Sequence, residues 1–212
     1  MLKYHTLPVT TFQQNCSIVW CDETMDGAVI DPGGELPRIV GTAKQLGVTL
    51  TQILLTHAHI DHAGGTAALA KALALPIVGP HPGDQFWIDG LKMQARQFGF
   101  PEAEGFVPTR WLADGDSVTV GRCTLAVRHC PGHTPGHVVF HSAEAKRAFV
   151  GDVLFDGSIG RTDFPGGDHD TLIDSITVRL WPMGDDTVFI PGHGPESSFG
   201  EQRRRNPYVR GT

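Results

Sequence analysis

The chain has 212 residues, 40% of them hydrophobic and 19% charged, with 26 glycines, which excludes a disordered chain and fits one large, loop-rich globular domain over residues 1–212. Its net charge of −6 gives no electrostatic reason for a nucleic-acid or membrane-surface partner, and the basic run Arg203-Arg204-Arg205 reads as a solvated face. The opening MLKYHTLPVTTF lacks the basic-then-apolar pattern of a signal peptide and no apolar run approaches the roughly 20 residues that span a bilayer, so a cytoplasmic location is expected.

In chain order, CSIVWC, GAVIDPGG and TQILLTH read as strands with turns between them. ELPRIVGTAKQLG spaces its apolar residues for a helix that stops at Gly47. TAALAKALAL reads as a second helix, with Thr66 as N-cap and an end ahead of Pro76, and LPIVGP as another strand. Residues 83–108 are weakly patterned, with a short helix over Asp84 to Phe98, and this is where a lid or specificity insertion would lie. Strands resume in DSVTVGRCTLAVRHC, HVVFHS and RAFVGDVLF, followed by a helix over Asp168 to Leu180 and the strand TVFIPGH. Two rounds of strands and helices favour an α/β layered fold over a pure β barrel. Cys16, Cys21, Cys123 and Cys130 form no CxxC pair and read as small buried hydrophobes.

THAHIDHAGG crowds His57, His59, Asp61 and His62 directly behind an apolar run. Such density is costly to bury without a metal. The other candidate ligands also follow predicted strands: His133 after LAVRHCPG, Asp152 after RAFVG, His193 after TVFIPG. Strand ends of one sheet deliver their loops to a common edge, so these segments are expected to meet. His57 and His59, two apart in extended chain, can turn to one ion, whereas Asp61 and His62 lie past a bend and suit a neighbouring one. The expected centre holds two divalent metals, one on His57, His59 and His133, the other on Asp61, His62 and His193, with Asp152 bridging. Zinc is the first expectation, with iron or manganese as alternatives. With a bridging hydroxide the site stays net positive, which suits an anionic substrate and a developing oxyanion. His137, in CPGHTPGH, is near enough to support a ligand.

THAHIDHAGG, CPGHTPGH, VGDVLF and IPGHGP, in this order, resemble the motifs of the metallo-β-lactamase superfamily, over nearly the whole chain. The resemblance implies a four-layer αββα sandwich of two mixed sheets between helices, with the metals at one edge. Within the superfamily, T-H-x-H-x-D-H-A-G-G and the late NPYVR are similar to the glyoxalase II branch, the hydroxyacylglutathione hydrolases, above all to compact single-domain bacterial members. The implied activity is hydrolysis of a small-molecule thioester, S-lactoylglutathione, by attack of metal-bound hydroxide, with Asp61 orienting the nucleophile and Asp152 holding the ions apart. Two-domain relatives continue into a helical glutathione-binding domain, whereas this chain ends at Thr212. They also carry a lysine and then a tyrosine after the bridging aspartate, where GRTDF supplies Arg161 and Asp163. Arg161 is the candidate substrate contact, able to grip a glutathione carboxylate. GRTDF is also similar to the persulfide dioxygenase branch, which implies the alternative of one iron on His57, His133 and Asp152. A closed structural metal site is disfavoured because seven candidate ligands exceed the four it needs. Oligomeric state is not legible.

Overall fold

The structure, a computed structural model, describes residues 1–211. Strands β1 (Leu2–Val9), β2 (Gln14–Cys21) and β3 (Asp26–Ile30) form an antiparallel meander, and β4 (Thr49–Leu54) and β5 (Ile77–Val78) add in parallel, giving a sheet in the order β1-β2-β3-β4-β5. Helix α1 (Leu36–Gln45) fills the β3–β4 crossover, while α2 (Ile60–Ala63) and α3 (Thr66–Leu73) fill that between β4 and β5. Helices α4 (Gln85–Asp89) and α5 (Leu91–Phe98) lead into the second half. There β6 (Ser117–Val120), β7 (Cys123–His129), β8 (Val138–Ser142) and β9 (Arg147–Gly151) run antiparallel. The small hairpin β10 (Leu154–Phe155) and β11 (Ser158–Ile159) follows, then α6 (His169–Asp174), a π-helical turn over Ser175–Leu180, β12 (Val188–Pro191), β13 (Ser197–Ser198) and α7 (Phe199–Arg205). The second sheet is ordered β13-β12-β9-β8-β7-β6, with β12 parallel to β9.

Strand periodicity turns this order into four layers. In β2, Val19 and Cys21 join an apolar cluster with Val138, Phe140, Phe149 and Ile190 of the other sheet, so the two sheets face each other across it. The alternate residues Cys16 and Ile18 point outward to Ile39 of α1 and Leu69 of α3. Val139, Ala148, Val150 and Phe189 face out of the second sheet onto Leu172 of α6, Ile176 and Phe199 of α7. Three clusters between four layers are the αββα sandwich. Among the described residues no helix is long and apolar enough to cross a membrane.

Several expectations shift in detail. Gly65, not Thr66, stands at the N-cap of α3; a Cβ there would lie 2.5 Å from the Pro32 carbonyl oxygen, so the chain turns at the glycine. The helix expected over Asp84 to Phe98 breaks at Gly90 into α4 and α5. That over Asp168 to Leu180 begins with Asp168 as N-cap, its Oδ1 accepting the Thr171 N–H at 2.8 Å, and widens to the π turn. Strand β1 and helix α7 had no sequence assignment, and Arg203, Arg204 and Arg205 are exposed on α7.

Candidate metal centre

His57 and His59 leave β4 in extended chain, Asp61 and His62 sit on the single turn of α2, His133 follows β7, Asp152 follows β9 and His193 follows β12. The bend expected before Asp61 is thus a helical turn. Backbone bonds brace these strand ends across the edge of the sandwich: Val138 N–H to Thr56 O at 2.8 Å, Gly192 N–H to Gly151 O and Asn15 N–H to Gly192 O, both at 2.7 Å. A Cβ on Gly192 would lie 2.0 Å from Asp152 Oδ1, so glycine is required where β12 passes the site.

The donor atoms of His57, His59 and His133 lie within 4.8 Å of one another, as do those of Asp61, His62 and His193. Between the two sets stands Asp152, whose Oδ1 is 3.3 Å from His62 Nε2 and whose Oδ2 is 3.6 Å from His133 Nε2 and 3.7 Å from His193 Nε2. His57 Nε2, His62 Nε2 and Asp152 Oδ1 are buried and make no hydrogen bond. Buried polar atoms that converge without partners are what a divalent cation satisfies, and the donor set fits two.

Charge states agree with this for the first donor set, whereas the second has to release protons to take up an ion. Burial, reinforced by the neighbouring imidazoles, holds His57 and His59 well below the usual histidine range. Burial likewise lowers His133. These three are neutral acceptors, as ligation requires. Burial also opposes charge on His62 and His193, but the facing carboxylates of Asp152 and Asp61 outweigh it and raise both. Burial disfavours the Asp152 carboxylate as well, yet His62, His133 and His193 bring its pKa below the ordinary value.

A further ring of buried groups aims the candidate ligands. His62 Nδ1–H donates to Asp31 Oδ2 at 2.9 Å, and Asp31 also accepts the Thr56 N–H and hydroxyl, at 2.8 and 2.6 Å. His133 Nδ1–H donates to the Arg161 carbonyl at 2.7 Å, which turns Nε2 inward. His137 Nε2 accepts the Asp152 N–H at 3.1 Å while its ring stacks on His57. Asp84 accepts three bonds: from Ala58 N–H at 3.0 Å, Thr134 hydroxyl at 2.9 Å and Gly136 N–H at 2.6 Å. It thereby ties the loop of His57 and His59 to that of His133. Burial pushes its carboxyl up to about 6 against these donors. The sequence reading omitted Asp31 and Asp84. Asp31 ends an apolar strand just as Asp152 does, a usable signal; Asp84 in HPGD carried none.

Arg161 is on the rim. Its guanidinium, 58% exposed, makes a two-pronged pair with Asp163 at 2.6 and 2.7 Å and lies 4.1 Å over the Phe164 ring. Cys130 is buried in the outer core, its thiol pushed up to about 12 by burial, and does not reach the site. Two cavities open onto the centre, one of about 260 Å³ with Phe12, Trp87, Phe98 and Phe164 in its wall, the other of about 450 Å³ with Phe155, Ser158 and Gly194. Both include His133, Asp152, Arg161 and His193. The segment 83–108 therefore supplies part of the site wall.

Residues 9–193 match the model of the metallo-beta-lactamase superfamily, and the chain belongs to that superfamily. It is 45% identical over 209 residues to hydroxyacylglutathione hydrolase GloC of Haemophilus influenzae, covering 98% of each chain. With human mitochondrial persulfide dioxygenase ETHE1 it shares 33% over 190 residues, 87% of this chain and 67% of that one. Among solved structures, BLEG-1 B3 metallo-beta-lactamase superposes with a TM-score of 0.90 at 33% identity, covering 99% of this chain and 100% of that one. The di-iron-bound form of TTHA1623 superposes at 0.88 with 37% identity, covering 97% and 100%.

Proposed function

We propose that this chain is a single-domain, dinuclear metal-dependent hydrolase that cleaves a small-molecule thioester, with S-lactoylglutathione as the reference substrate. The observation that carries the reading is the pair of converging donor sets with Asp152 facing both; the whole-length likeness to a hydroxyacylglutathione hydrolase supports the substrate class. His57, His59 and His133 would hold one ion and Asp61, His62 and His193 the other, with Asp152 between them. When bound, the ions supply an acidified water and an electrophile for the carbonyl oxygen. Zinc is the first candidate, iron or manganese the alternatives, and the protein acts in the cytoplasm.

The protein side of the reaction is positioning. Asp61, whose Oδ2 is 3.1 Å from His193 Nε2, orients the attacking water toward the thioester carbon. Asp152, its N–H fixed on His137, keeps its carboxylate facing both donor sets. The C–S bond then breaks, and because a thiolate is a good leaving group no side chain has to deliver a proton to it. Arg161, at the rim of both cavities, offers a charged contact to a carboxylate of the thiol half. The test is metal analysis together with thioester assay: two ions per chain and chelator-sensitive cleavage are expected, and full activity at one ion per chain overturns the dinuclear reading.

A second reading, persulfide oxidation at one iron held by His57, His133 and Asp152, is favoured by the likeness to persulfide dioxygenase. Thioester cleavage and oxygen uptake measured on one preparation separate the two. Hydrolysis changes no oxidation state, so cleavage runs equally fast in air and without oxygen; oxygen-dependent turnover of glutathione persulfide with negligible thioester cleavage overturns the assignment. A chromogenic cephalosporin, tested in parallel, reports lactam hydrolysis.

A further inference from the structure

We infer that the smaller cavity is an acyl pocket for an apolar, ring-sized group, so that among thioesters the enzyme favours those whose acyl half carries an aromatic or branched apolar substituent. This rests on the thioester reading above and adds which half of the substrate goes where.

The wall is aromatic and already packed in edge-on fashion. Trp87 and Phe164 stand edge-on to His59, with ring centroids at 4.6 and 5.2 Å, and Trp87 stands edge-on to Phe164 at 6.1 Å. Phe12, also in the lining, stands edge-on to Phe98 at 6.1 Å. Such edges and faces accept another ring at little cost in geometry.

The polar groups beside these rings are occupied or shut off from the cavity. Gln94 accepts the Ile60 N–H with Oε1 at 3.0 Å and donates Nε2 to the Trp87 carbonyl at 2.9 Å. The indole nitrogen of Trp87 is itself buried without a partner, so it does not present its N–H to the cavity. A hydroxyl or carboxylate lodged between Phe12, Trp87 and Phe98 would lose water and gain no replacement, whereas an apolar group gains by the same transfer.

Size agrees. A dry cavity of about 150 Å³ lined by Leu, Ile and Phe accepts benzene, and this one measures about 260 Å³. The charged tripeptide of glutathione fits the other cavity, where Ser158, Arg161 and the Gly194 backbone line about 450 Å³. The scissile carbonyl then lies over the shared floor of His133, Asp152 and His193.

The test compares S-lactoylglutathione with S-(3-phenyllactoyl)glutathione, which differ by one phenyl ring, on the metal-loaded full chain. A hydrophobic pocket discriminates about tenfold or more for a group of this size, so kcat/KM is expected to be at least about tenfold higher for the phenyl substrate. Phe98→Ala, and Phe12→Ala at a half-exposed turn where folding is not at stake, should each bring that ratio down toward one. A binding arm uses calorimetry with two thioethers: S-benzylglutathione should bind about tenfold tighter than S-methylglutathione, and this preference should shrink in both variants. A ratio at or below one in the unaltered protein overturns the inference, and so does a preference that neither variant moves. If no thioester is cleaved, the parent reading fails, while the calorimetric arm still decides the apolar preference of the pocket.

Discussion

Every candidate ligand on the floor of the site leaves the end of a strand or the helical turn after one, and three are braced by another group: His62 by Asp31, His133 by the Arg161 carbonyl, Asp152 by His137. The wall differs in kind. Phe12, Trp87, Phe98 and Phe164 come from a turn, two short helices and a loop, and their rings are placed by contacts with other rings and with the apolar core. A floor over-determined by hydrogen bonds has one arrangement and fails when a member is removed; a wall held by packing can exchange shape while the chemistry continues. Floor and wall are thus expected to answer to substitution on different scales, the first in turnover and metal content, the second in substrate choice.

The sharpest way to break this contrast is at Asp152, which faces both donor sets. Asp152→Ala is expected to lower thioester turnover by at least about 10³-fold, equivalent to about 4 kcal/mol of barrier, and to reduce metal content, while far-ultraviolet circular dichroism stays unchanged. The fold should survive because Asp152 belongs to none of the three apolar clusters. His62→Ala and His193→Ala should each take the protein from two ions to one with the fold intact. Wild-type turnover in Asp152→Ala, or gross unfolding in all three variants, would show that the floor is structural.

Asp84 offers a subtler probe, since it touches no candidate ligand side chain yet joins the loops that carry three of them. Asp84→Asn preserves size but turns an amide NH₂ toward groups that themselves donate, Ala58 N–H or Gly136 N–H. Removing a support of this kind costs about 10–100-fold in metal affinity. The loss should fall on the ion held by His57, His59 and His133 and leave the one at Asp61, His62 and His193 in place, as read by metal titration of the apoprotein. Equal weakening of both ions would mean that Asp84 acts on overall stability instead.

The same contrast explains what could be read from the chain beforehand. Four candidate ligands within His57 to His62 stand out by density, and His133, Asp152 and His193 by following apolar strands. The layered α/β character followed from two rounds of strands and helices and the four-layer sandwich from the motif resemblance; the structure then divides Val138, Val139 and Phe140 between the inner and outer cores. Strand β1 escaped because Lys3, His5 and Pro8 interrupt its apolar pattern, and helix α7 because its last turn is all arginine. Asp84 sits alone in a weakly patterned stretch, and its role exists only through donors distant in the chain, from residues 58, 134 and 136. The wall was legible only in part: residues 83–108 were marked as a place for a specificity element and supply Trp87 and Phe98, while Phe12 and Phe164 come from distant segments and join them only in three dimensions.

The smallest expected effect is at the rim, where floor and wall join. Arg161 is mostly exposed, pairs with Asp163, and lies on Phe164; the same arginine keeps the Asp163 carboxyl at about 2, so the partner stays ionised in the working range. A substrate carboxylate must therefore share the guanidinium with Asp163, in water, where such a contact is weak. Arg161→Ala is expected to raise KM for a glutathione thioester about threefold with kcat nearly unchanged, the pattern of a contact made equally in ground and transition states. Asp163→Ala should act in the opposite sense and lower KM, because it frees both prongs of the guanidinium and removes a like charge facing the substrate. Opposite signs in the two variants would assign Arg161 to substrate binding. An unchanged KM in both would make the pair a local brace for the loop whose carbonyl orients His133, and the rim would then belong to the floor.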